Sequence, residues 1–333
     1  MKKISLIFII MFVFSAGCTN KEKMTDYFPY YENTTLHYEG TGNEYASYVA
    51  YTDYLDTGRI QMRINNGGTE MTKVYEITDN KISLIYQEEE FYHREKLINR
   101  VYSNEEILLM EPLEKGTQWI LPDGRTRAIT ATRINIDTPI GEFKAIEVTT
   151  INTDSISKDY YAAGIGHIKS VFIAKDYEVS SSLETIDPQT SWDQVIKVYY
   201  PNINDERFYF IDQNISFHTN DSIEDAFEYL LKTDPPEGFG ALLGNNVEIM
   251  SIDRLKDNSV HIDFSKEFIR EMNAGANFEG MILQSVVNTI GDYYRVEQVL
   301  LTIEGAPYSS GHFEFAEGEK LSVDHTNIQE VIK

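Results

Sequence analysis

The chain has 333 residues, of which 53 are acidic and 29 are basic, so its formal net charge is −24. Apolar residues make up 42% and aromatic residues 12%, which supplies a packed core and excludes disorder throughout. The negative charge excludes nucleic-acid binding as the main role, because phosphate backbones would repel the protein. The single cysteine excludes a disulfide framework and a cysteine-rich metal site. The length predicts about two domains.

The N-terminus has the pattern of a secretory signal that is removed on export. Met1–Lys3 is basic, and the apolar run Ile4–Phe14 is too short to span a bilayer, which needs roughly 20 residues. Ser15-Ala-Gly-Cys18 resembles a bacterial lipobox, although Ser15 stands where an aliphatic residue is usual. An ordinary secretory signal is the alternative. We prefer a lipoprotein signal peptide over residues 1–17, because the only cysteine lies at the cut.

Cys18 is therefore the predicted lipidation site. Its acyl chains, palmitate among them, are expected to anchor the protein on the extracytoplasmic face of the cell membrane. Residues 18–26 are polar, lack apolar periodicity, and are interpreted as a lipidated tether. The acidic body would be repelled by an anionic leaflet, so we expect it to stand away from the membrane.

Residues 27–186 are predicted to form an antiparallel β-rich domain. Short runs of alternating apolar and polar residues, such as Lys73–Ile77 and Ala145–Val148, are separated by turns rich in Gly, Asn, Asp and Pro. Twelve of the 22 tyrosines lie between Tyr27 and Tyr102. We interpret them as cross-strand pairs on the sheet rather than as a stacking site for a ligand.

Three glycine- and aromatic-containing segments of this region also form an ordered series: Pro112–Trp119, Thr138–Phe143 and Tyr160–Gly166. The series looks like a pattern of bacterial envelope lipoproteins that have a curved, partly open antiparallel sheet. The resemblance implies a fold and no function.

Residues 187–193 contain Pro, Ser, Thr and two Asp and are predicted to be a linker between two domains. Strands then alternate with helices in the order β-α-β-β-α-β, which predicts an α/β sandwich over residues 194–318. Residues 319–333 are interpreted as a C-terminal tail. The fold class predicted for the whole chain is α+β.

The elements of this second domain follow from apolar periodicity. Asp221 or Ser222 is a suitable N-cap for the first helix, and Gly291 is placed to end the second. The predicted elements are a strand Val195–Tyr200, a helix opening at Asp221-Ser222, a hairpin of Val247–Leu255 and Ser259–Phe264, a helix Phe278–Ile290 and a strand Val296–Ile303.

The second domain also carries an ordered set of motifs. They are Val195-x-x-Val-Tyr-Tyr200, Tyr229-Leu-Leu231 with Pro235-Pro-x-Gly238, Val260-x-Ile-Asp263-Phe-Ser265-x-x-Phe268, Gly280 with Gln284–Thr289, Val296-x-x-Val299 and Ile303-x-Gly305. The set resembles the GerMN domain, a sporulation and spore-germination module of bacterial lipoproteins. The resemblance implies a fold similar to the α/β modules that build rings in secretion-type complexes, and a place in the envelope machinery of spore formation. The namesake carries two such domains in tandem and this chain shows one, so a ring role is not carried over. Other single-copy relatives look like accessory lipoproteins of signalling or envelope-maintenance systems.

Candidates for chemistry are sparse. The seven histidines include no pair at a spacing of three or four residues, and metalloprotease, nucleophile-elbow and phosphate-loop motifs do not occur. We interpret His261 and Asp263 as a surface pair or a hydrogen-bonded pair rather than as half of a metal site or a base with its orienting carboxylate. The acidic groups Glu88–Glu90 and Asp221–Asp225 lack EF-hand spacing and are interpreted as solvated faces and a helix N-terminus. Asp53, near a predicted turn, receives no role. We expect no catalytic residue, no metal and no cofactor.

Two functions remain. The leading hypothesis is a non-enzymatic, membrane-anchored envelope lipoprotein that acts through protein–protein contacts, in sporulation or germination or in envelope maintenance. The alternative is a carrier of a lipid or small apolar ligand, held by the β-rich domain. The expected partners are the membrane, through lipidated Cys18, and one or more unidentified envelope proteins. Self-association into an oligomer is left open, and no nucleic acid is expected.

Overall fold

The computed structural model describes residues 22–202 and 204–331 and consists mainly of β-strands. Cys18, the predicted lipidation site, lies outside the described residues. A short 3-10 helix, Met24–Tyr27, precedes a sheet of twelve strands. These are β1 (Thr34–Thr41), β2 (Tyr48–Asp56), β3 (Arg59–Asn65), β4 (Glu70–Ile77), β5 (Lys81–Glu89), β6 (Glu106–Met110), β7 (Gln118–Ile120), β8 (Thr126–Thr138), β9 (Gly141–Ile151), β10 (Ser155–Ala162), β11 (Gly166–Ala174) and β12 (Tyr177–Pro188).

The large sheet is two consecutive meanders joined side by side. Strands β1 to β6 follow one another on one side of β1, and β12 back to β7 follow on the other side, with every neighbouring pair antiparallel. Two-residue turns join several neighbours, and the turn between β2 and β3 contains Gly58 at φ 79°, where a side chain would be strained. The prediction of an antiparallel β-rich first part is confirmed.

The two ends of this sheet touch. Arg127 of β8 donates from Nη1 to the carbonyl of Ile107 in β6 at 2.7 Å, and from Nη2 to the carboxylate of Glu106 at 2.7 Å. Trp119 of β7 donates its indole N–H to the same Ile107 carbonyl at 3.0 Å. The natural twist of a long antiparallel sheet brings its edges round, and these side chains close the remaining gap. The sheet is thereby curled around its inner face.

The second part of the chain forms two smaller sheets around three helices. One sheet has the order β13-β14-β20, and the other has the order β15-β16-β17-β18 with β19 also paired to β17. Strands β16 and β17 are parallel, as the helical crossover between them requires. Bounds are β13 (Trp192–Asn202), β14 (Arg207–Phe217), α1 (Ile223–Lys232), β15 (Ile249–Arg254), β16 (Val260–Phe264), α2 (Glu267–Glu271), α3 (Ala276–Tyr294), β17 (Gln298–Ile303), β18 (Ala306–Pro307), β19 (Lys320–Ser322) and β20 (Ile328–Glu330).

One hydrophobic core joins both small sheets with α1 and α3. The apolar stripe of α1 enters it, and Ser222 caps this helix by accepting a hydrogen bond from the N–H of Asp225. The core also holds residues of β13, β16 and β17, so the two sheets are not independent units.

The second part differs from the predicted sandwich in two respects. The first strand does not join the sheet of the hairpin but pairs with the eleven-residue β14. Helix α3 continues to Tyr294 and ends at Arg295, which adopts the left-handed conformation, so the assignment of Gly291 as the helix end is wrong. Gly291 is required inside the helix instead, because an added Cβ would lie 2.2 Å from Cγ2 of Val323.

Segments interpreted as connections also form structure. Met24, within the interpreted tether, lies in the 3-10 helix and is buried. Pro188 ends β12 and Trp192 begins β13, so three residues separate these strands. Residues 319–333, interpreted as a tail, supply β19 and β20, one to each small sheet. Within residues 22–202 and 204–331, no helix is long and apolar enough to span a membrane.

Candidate functional site

The curled sheet lines a cavity of about 460 Å³ that is open to solvent on one side. Strand alternation sends every second side chain inward, so that Met71, Lys73 and Tyr75 of β4 all line it. The register with β3 sets Ile64 beside Met71 and Met62 beside Lys73. Much of the remaining wall is aliphatic or aromatic, including Leu36, Tyr38, Tyr48, Ala50, Ile60, Leu84, Leu108 and Tyr161. The volume falls within the roughly 300–1,000 Å³ of small-molecule pockets.

The segment that follows the 3-10 helix contributes to this wall. Phe28 lines the cavity, and its ring lies 4.7 Å from the ring of Tyr75. Asp26 accepts a backbone hydrogen bond from Gly164 at 2.7 Å, which fixes the segment against the turn between β10 and β11. Gly166 lies beside it at φ 94°, where a side chain would be strained, and a Cβ there would also lie 3.1 Å from Cδ of Pro29. The region next to the predicted anchor is thus part of the cavity.

Five acidic, basic or histidine side chains line the cavity, and they differ in whether an oppositely charged partner lies beside them. Arg127 pairs with Glu106 at 2.7 Å, and His167 lies 3.1 Å from the Asp159 carboxylate. Lys73 forms no ion pair or hydrogen bond with any residue that the structure describes. Burial lowers the pKa of Lys73, while Glu106 and Asp159 oppose that shift from a greater distance. An ammonium group without a close partner is therefore held at the cavity wall.

Several hydroxyl groups at the cavity wall lack protein partners as well. Burial raises the pKa values of the Tyr75 and Tyr161 phenols, so both stay neutral and able to donate. Thr52 is 1% exposed, and its Oγ1 has no partner among the described residues. By contrast, Tyr38 donates to the carbonyl of His167 at 2.7 Å. Buried polar groups without partners are uncommon and mark places where a ligand atom can complete the hydrogen bonding.

Some of the tyrosines form the cross-strand pairs that were predicted, and others have roles that were not predicted. Tyr38 and Tyr48 face each other across β1 and β2, with rings stacked at 4.3 Å, as a cross-strand pair. Both also line the cavity, which the sequence interpretation did not foresee. Tyr51 and Tyr54 lie instead at the junction with the second part, where Tyr51 donates to the carbonyl of Phe217 at 3.2 Å.

That junction is built around Asp53, which the sequence analysis left without a role. The carboxylate of Asp53 is fully buried and accepts from Nη2 of Arg63 at 2.9 Å and Nη1 of Arg94 at 3.3 Å. Arg94 also donates to the carbonyls of His218 at 2.9 Å and Asp221 at 3.0 Å. A buried ionic network thus ties the large sheet to the loop before α1.

A second contact between the two parts involves the acidic run Glu88–Glu90. Nη2 of Arg254 donates hydrogen bonds to both carboxylate oxygens of Glu88, at 2.7 and 2.8 Å. Glu88 therefore contacts β15 rather than lying on a solvated face. Glu224 of the other acidic group accepts from the backbone of Ile252 at 3.3 Å. The interpretation of Glu88 as part of a solvated face is incomplete, because it could not include contacts between distant segments. The placement of Glu224 and Asp225 at a helix N-terminus is confirmed.

His261 and Asp263 are joined through Thr302. His261 Nε2 lies 2.7 Å from the Thr302 hydroxyl, which in turn donates to Asp263. The same carboxylate accepts from the backbone N–H of Gly305 at 2.9 Å and so holds the turn after β17. These bonds satisfy both residues and serve the fold. Within the described ranges, no group of three or more His, Cys, Asp and Glu side chains is arranged to hold a metal ion.

Comparison with known proteins identifies one segment of the chain. Residues 197–309 match the family model described as Germane, sporulation and spore germination. The tandem GerMN domains of the sporulation protein GerM from Bacillus subtilis, and its first GerMN domain alone, are each 26% identical over 39% of this chain, with a TM-score of 0.30. The chain covers 46% of the tandem structure, less than half its length, and 97% of the single domain.

A candidate lipoprotein from Clostridium perfringens is 19% identical over 40% of this chain and 87% of its own length, with a TM-score of 0.25. Comparison with curated proteins gives no significant match. The chain thus contains a GerMN-like domain, and the evidence for it is the family model.

Proposed function

We propose that this chain is an envelope protein, held on the extracytoplasmic face of the cell membrane by acyl chains on Cys18, whose GerMN-like domain docks on other proteins. The match of residues 197–309 to a sporulation and spore-germination family supports a role in sporulation, in germination or in the maintenance of the envelope. The protein acts by binding, without catalysis.

The observation that carries this proposal is a pair of exposed apolar side chains on the GerMN-like domain. Tyr229 of α1 and Met250 of β15 are 70% and 56% exposed. Their elements meet at this point, because Glu228 accepts a hydrogen bond from the backbone N–H of Ile249 at 3.2 Å. Aromatic and methionine side chains are enriched at protein interfaces. We therefore define Tyr229 and Met250 as the docking patch.

Site-specific photocrosslinking tests the docking patch. A photoreactive phenylalanine analogue is placed at position 229 of the full chain in its own membranes, and at position 101 as control. Val101 is 98% exposed but belongs to the first part. The proposal predicts a discrete adduct from position 229 that position 101 does not give. Identical adducts from both positions, or none from position 229, would contradict it.

A second function is favoured by a separate observation, the cavity of about 460 Å³ with its largely apolar wall. We propose that this cavity carries an apolar or amphiphilic small molecule. Native mass spectrometry of residues 19–333, exported through a bacterial envelope behind a cleavable signal, tests this second function. A co-purifying ligand of defined mass supports it. A ligand-free spectrum, together with failure to bind envelope lipid extracts, would count against it.

A further inference from the structure

The charge at the cavity wall is incompletely compensated at one place. Glu106, Asp159 and Arg127 each have a charged or titratable partner within 3.1 Å, whereas the amino group of Lys73 has none among the described residues. A partly buried charge without a partner is costly, and the cost is removed when an opposite charge binds beside it. The amino group of Lys73 would therefore stabilise an anion bound beside it.

Neutral hydrogen-bond donors line the same cavity as this ammonium group. Tyr75 follows Lys73 by two residues on β4, so both side chains enter the cavity from the same face of the same strand. The phenol of Tyr75, the phenol of Tyr161 and the hydroxyl of Thr52 have no hydrogen bond to a described residue. Ammonium and phenol groups donate hydrogen bonds, so together they match a group that accepts several.

The rest of the cavity wall indicates which kind of molecule carries the hydrogen-bond-accepting group. Apolar side chains that form no hydrogen bonds make up much of it, among them Ile60, Met62, Met71 and Leu108. The volume of about 460 Å³ lies near the lower end for small-molecule sites, which favours one chain over several. Glu106 and Asp159 also line the cavity, and their negative charge disfavours a head group with two charges.

We propose that the cavity binds a single-chain amphiphile whose singly charged anionic head accepts hydrogen bonds from Lys73 and Tyr75, with its chain on the apolar wall. This inference rests on the second function proposed above, and adds the chemical class of the ligand. The shared chemistry is a monoanionic head, such as a carboxylate or a sulfate ester, on one alkyl chain. Neutral and cationic amphiphiles of equal length are the comparisons that separate charge recognition from simple burial of the chain.

Displacement of a neutral environment-sensitive dye from residues 19–333 measures this preference. The competitors are tetradecanoate, tetradecyl sulfate, tetradecanol and tetradecyltrimethylammonium, each used below its micelle concentration. The inference predicts that both anions displace the dye at concentrations roughly ten- to hundred-fold lower than the alcohol, the effect of a hydrogen bond to a charged group. The cationic competitor is expected to be weaker than the alcohol.

Three variants assign the effect to its residue. Lys73→Met should remove the preference for the anions while leaving displacement by tetradecanol unchanged, and Lys73→Arg should retain the preference. Lys158→Met is the matched control, because Lys158 lies in a strand of the same sheet but pairs with Glu147 at 3.1 Å and does not line the cavity. Thermal unfolding of each variant confirms that it is folded.

Each outcome has one meaning. Equal displacement by the anions and the alcohol, unchanged by Lys73→Met, would overturn the assignment of an anionic head while the carrier function stands. Failure of every amphiphile to displace the dye, with a ligand-free mass spectrum, would overturn both. A preference for anions that Lys158→Met removes as fully as Lys73→Met would overturn the role of Lys73 and point to the overall charge.

Discussion

Arg94 and Asp53 join the two parts of the chain through one buried guanidinium group. Arg94 donates from Nη2 to the backbone carbonyl of Asp53 at 2.9 Å and from Nη1 to its carboxylate at 3.3 Å. The other hydrogen bonds of the Arg94 guanidinium group go to backbone carbonyls of the loop before α1. Arg63 also donates to the Asp53 carboxylate, at 2.9 Å. Because all three side chains are at most 1% exposed, the GerMN-like domain is fixed on the large sheet.

Asp53→Asn should destabilise the protein strongly. The substitution leaves two buried guanidinium groups without their shared anion, and breaking a buried ion pair typically costs about 3–5 kcal/mol. Urea unfolding followed by tryptophan fluorescence measures the loss. Arg125→Met is the control, since Arg125 pairs with Asp123 at the surface and should cost at most about 1 kcal/mol. Similar small losses for both variants would contradict the assigned role of the junction.

The stability should also depend on pH through His93, which is buried at this junction. Burial lowers the pKa of His93 below its ordinary 6.5, and the nearby guanidinium groups of Arg254 and Arg63 add to the shift while Glu95 opposes it. The unfolded chain therefore binds a proton in the window between the lowered pKa and 6.5, so stability is lost as the pH falls through that window.

The measurement is the free energy of unfolding at several pH values between about 7.5 and 5, for the wild type and His93→Phe. As the pH falls, the wild type should lose stability faster than His93→Phe. The difference in slope is at most about 1.4 kcal/mol per pH unit, which is the limit for one proton. Parallel curves for the two proteins would show that His93 does not titrate as described. Because His93 helps to hold the pKa of Glu95 low, Glu95→Gln is made in both proteins so that Glu95 does not titrate in the comparison.

Gly291→Ala should destabilise the GerMN-like domain although alanine is the better helix former by about 1 kcal/mol. The new Cβ would lie 2.2 Å from Cγ2 of Val323 and 3.2 Å from the carbonyl of Val296. Val323→Ala in the same chain should recover part of the loss, because it removes the side-chain clash. Thermal unfolding of the four proteins of this double-mutant cycle measures the coupling. Additive effects would contradict the close packing of Gly291 against Val323.

The exposed edge of β15 should become a site of self-association when its covering side chains are removed. Glu224 and Glu228 of α1 accept hydrogen bonds from the backbone N–H groups of Ile252 and Ile249 at 3.3 and 3.2 Å. Unpaired edge groups are templates for another strand. Sedimentation velocity of Glu224→Ala with Glu228→Ala should show larger species at concentrations where the Asp225→Ala control does not. A monomeric double variant would mean that the edge is protected in another way.

Alternation and turn chemistry predicted the β-rich first part, and Ser222 was one of the two caps predicted for the first helix. The junction was not predicted, because Asp53 and Arg63 alternate with apolar residues as surface side chains of a strand do. Their burial depends on Arg94 and on the loop before α1, which no local pattern links to them.

The cavity could not be predicted from the alternation around Lys73 either. The same pattern fits a flat sheet, in which Lys73 would be solvated, whereas the contacts of Arg127 and Trp119 with β6 show that the sheet curls round. Gly291 misled the sequence analysis for a related reason. A glycine near a helix end usually marks the C-cap, but here close packing against Val323 requires it.

The central claim is that the protein is anchored at the membrane and acts by docking on other envelope proteins. Affinity purification of the C-terminally tagged full chain from crosslinked membranes tests it most directly, with growing and sporulating cells compared where the source organism sporulates. The account predicts partners that disappear with Cys18→Ala and with Tyr229→Ala combined with Met250→Ala, but remain with Val101→Ala. The same partners in all variants, or none in either growth state, would contradict it.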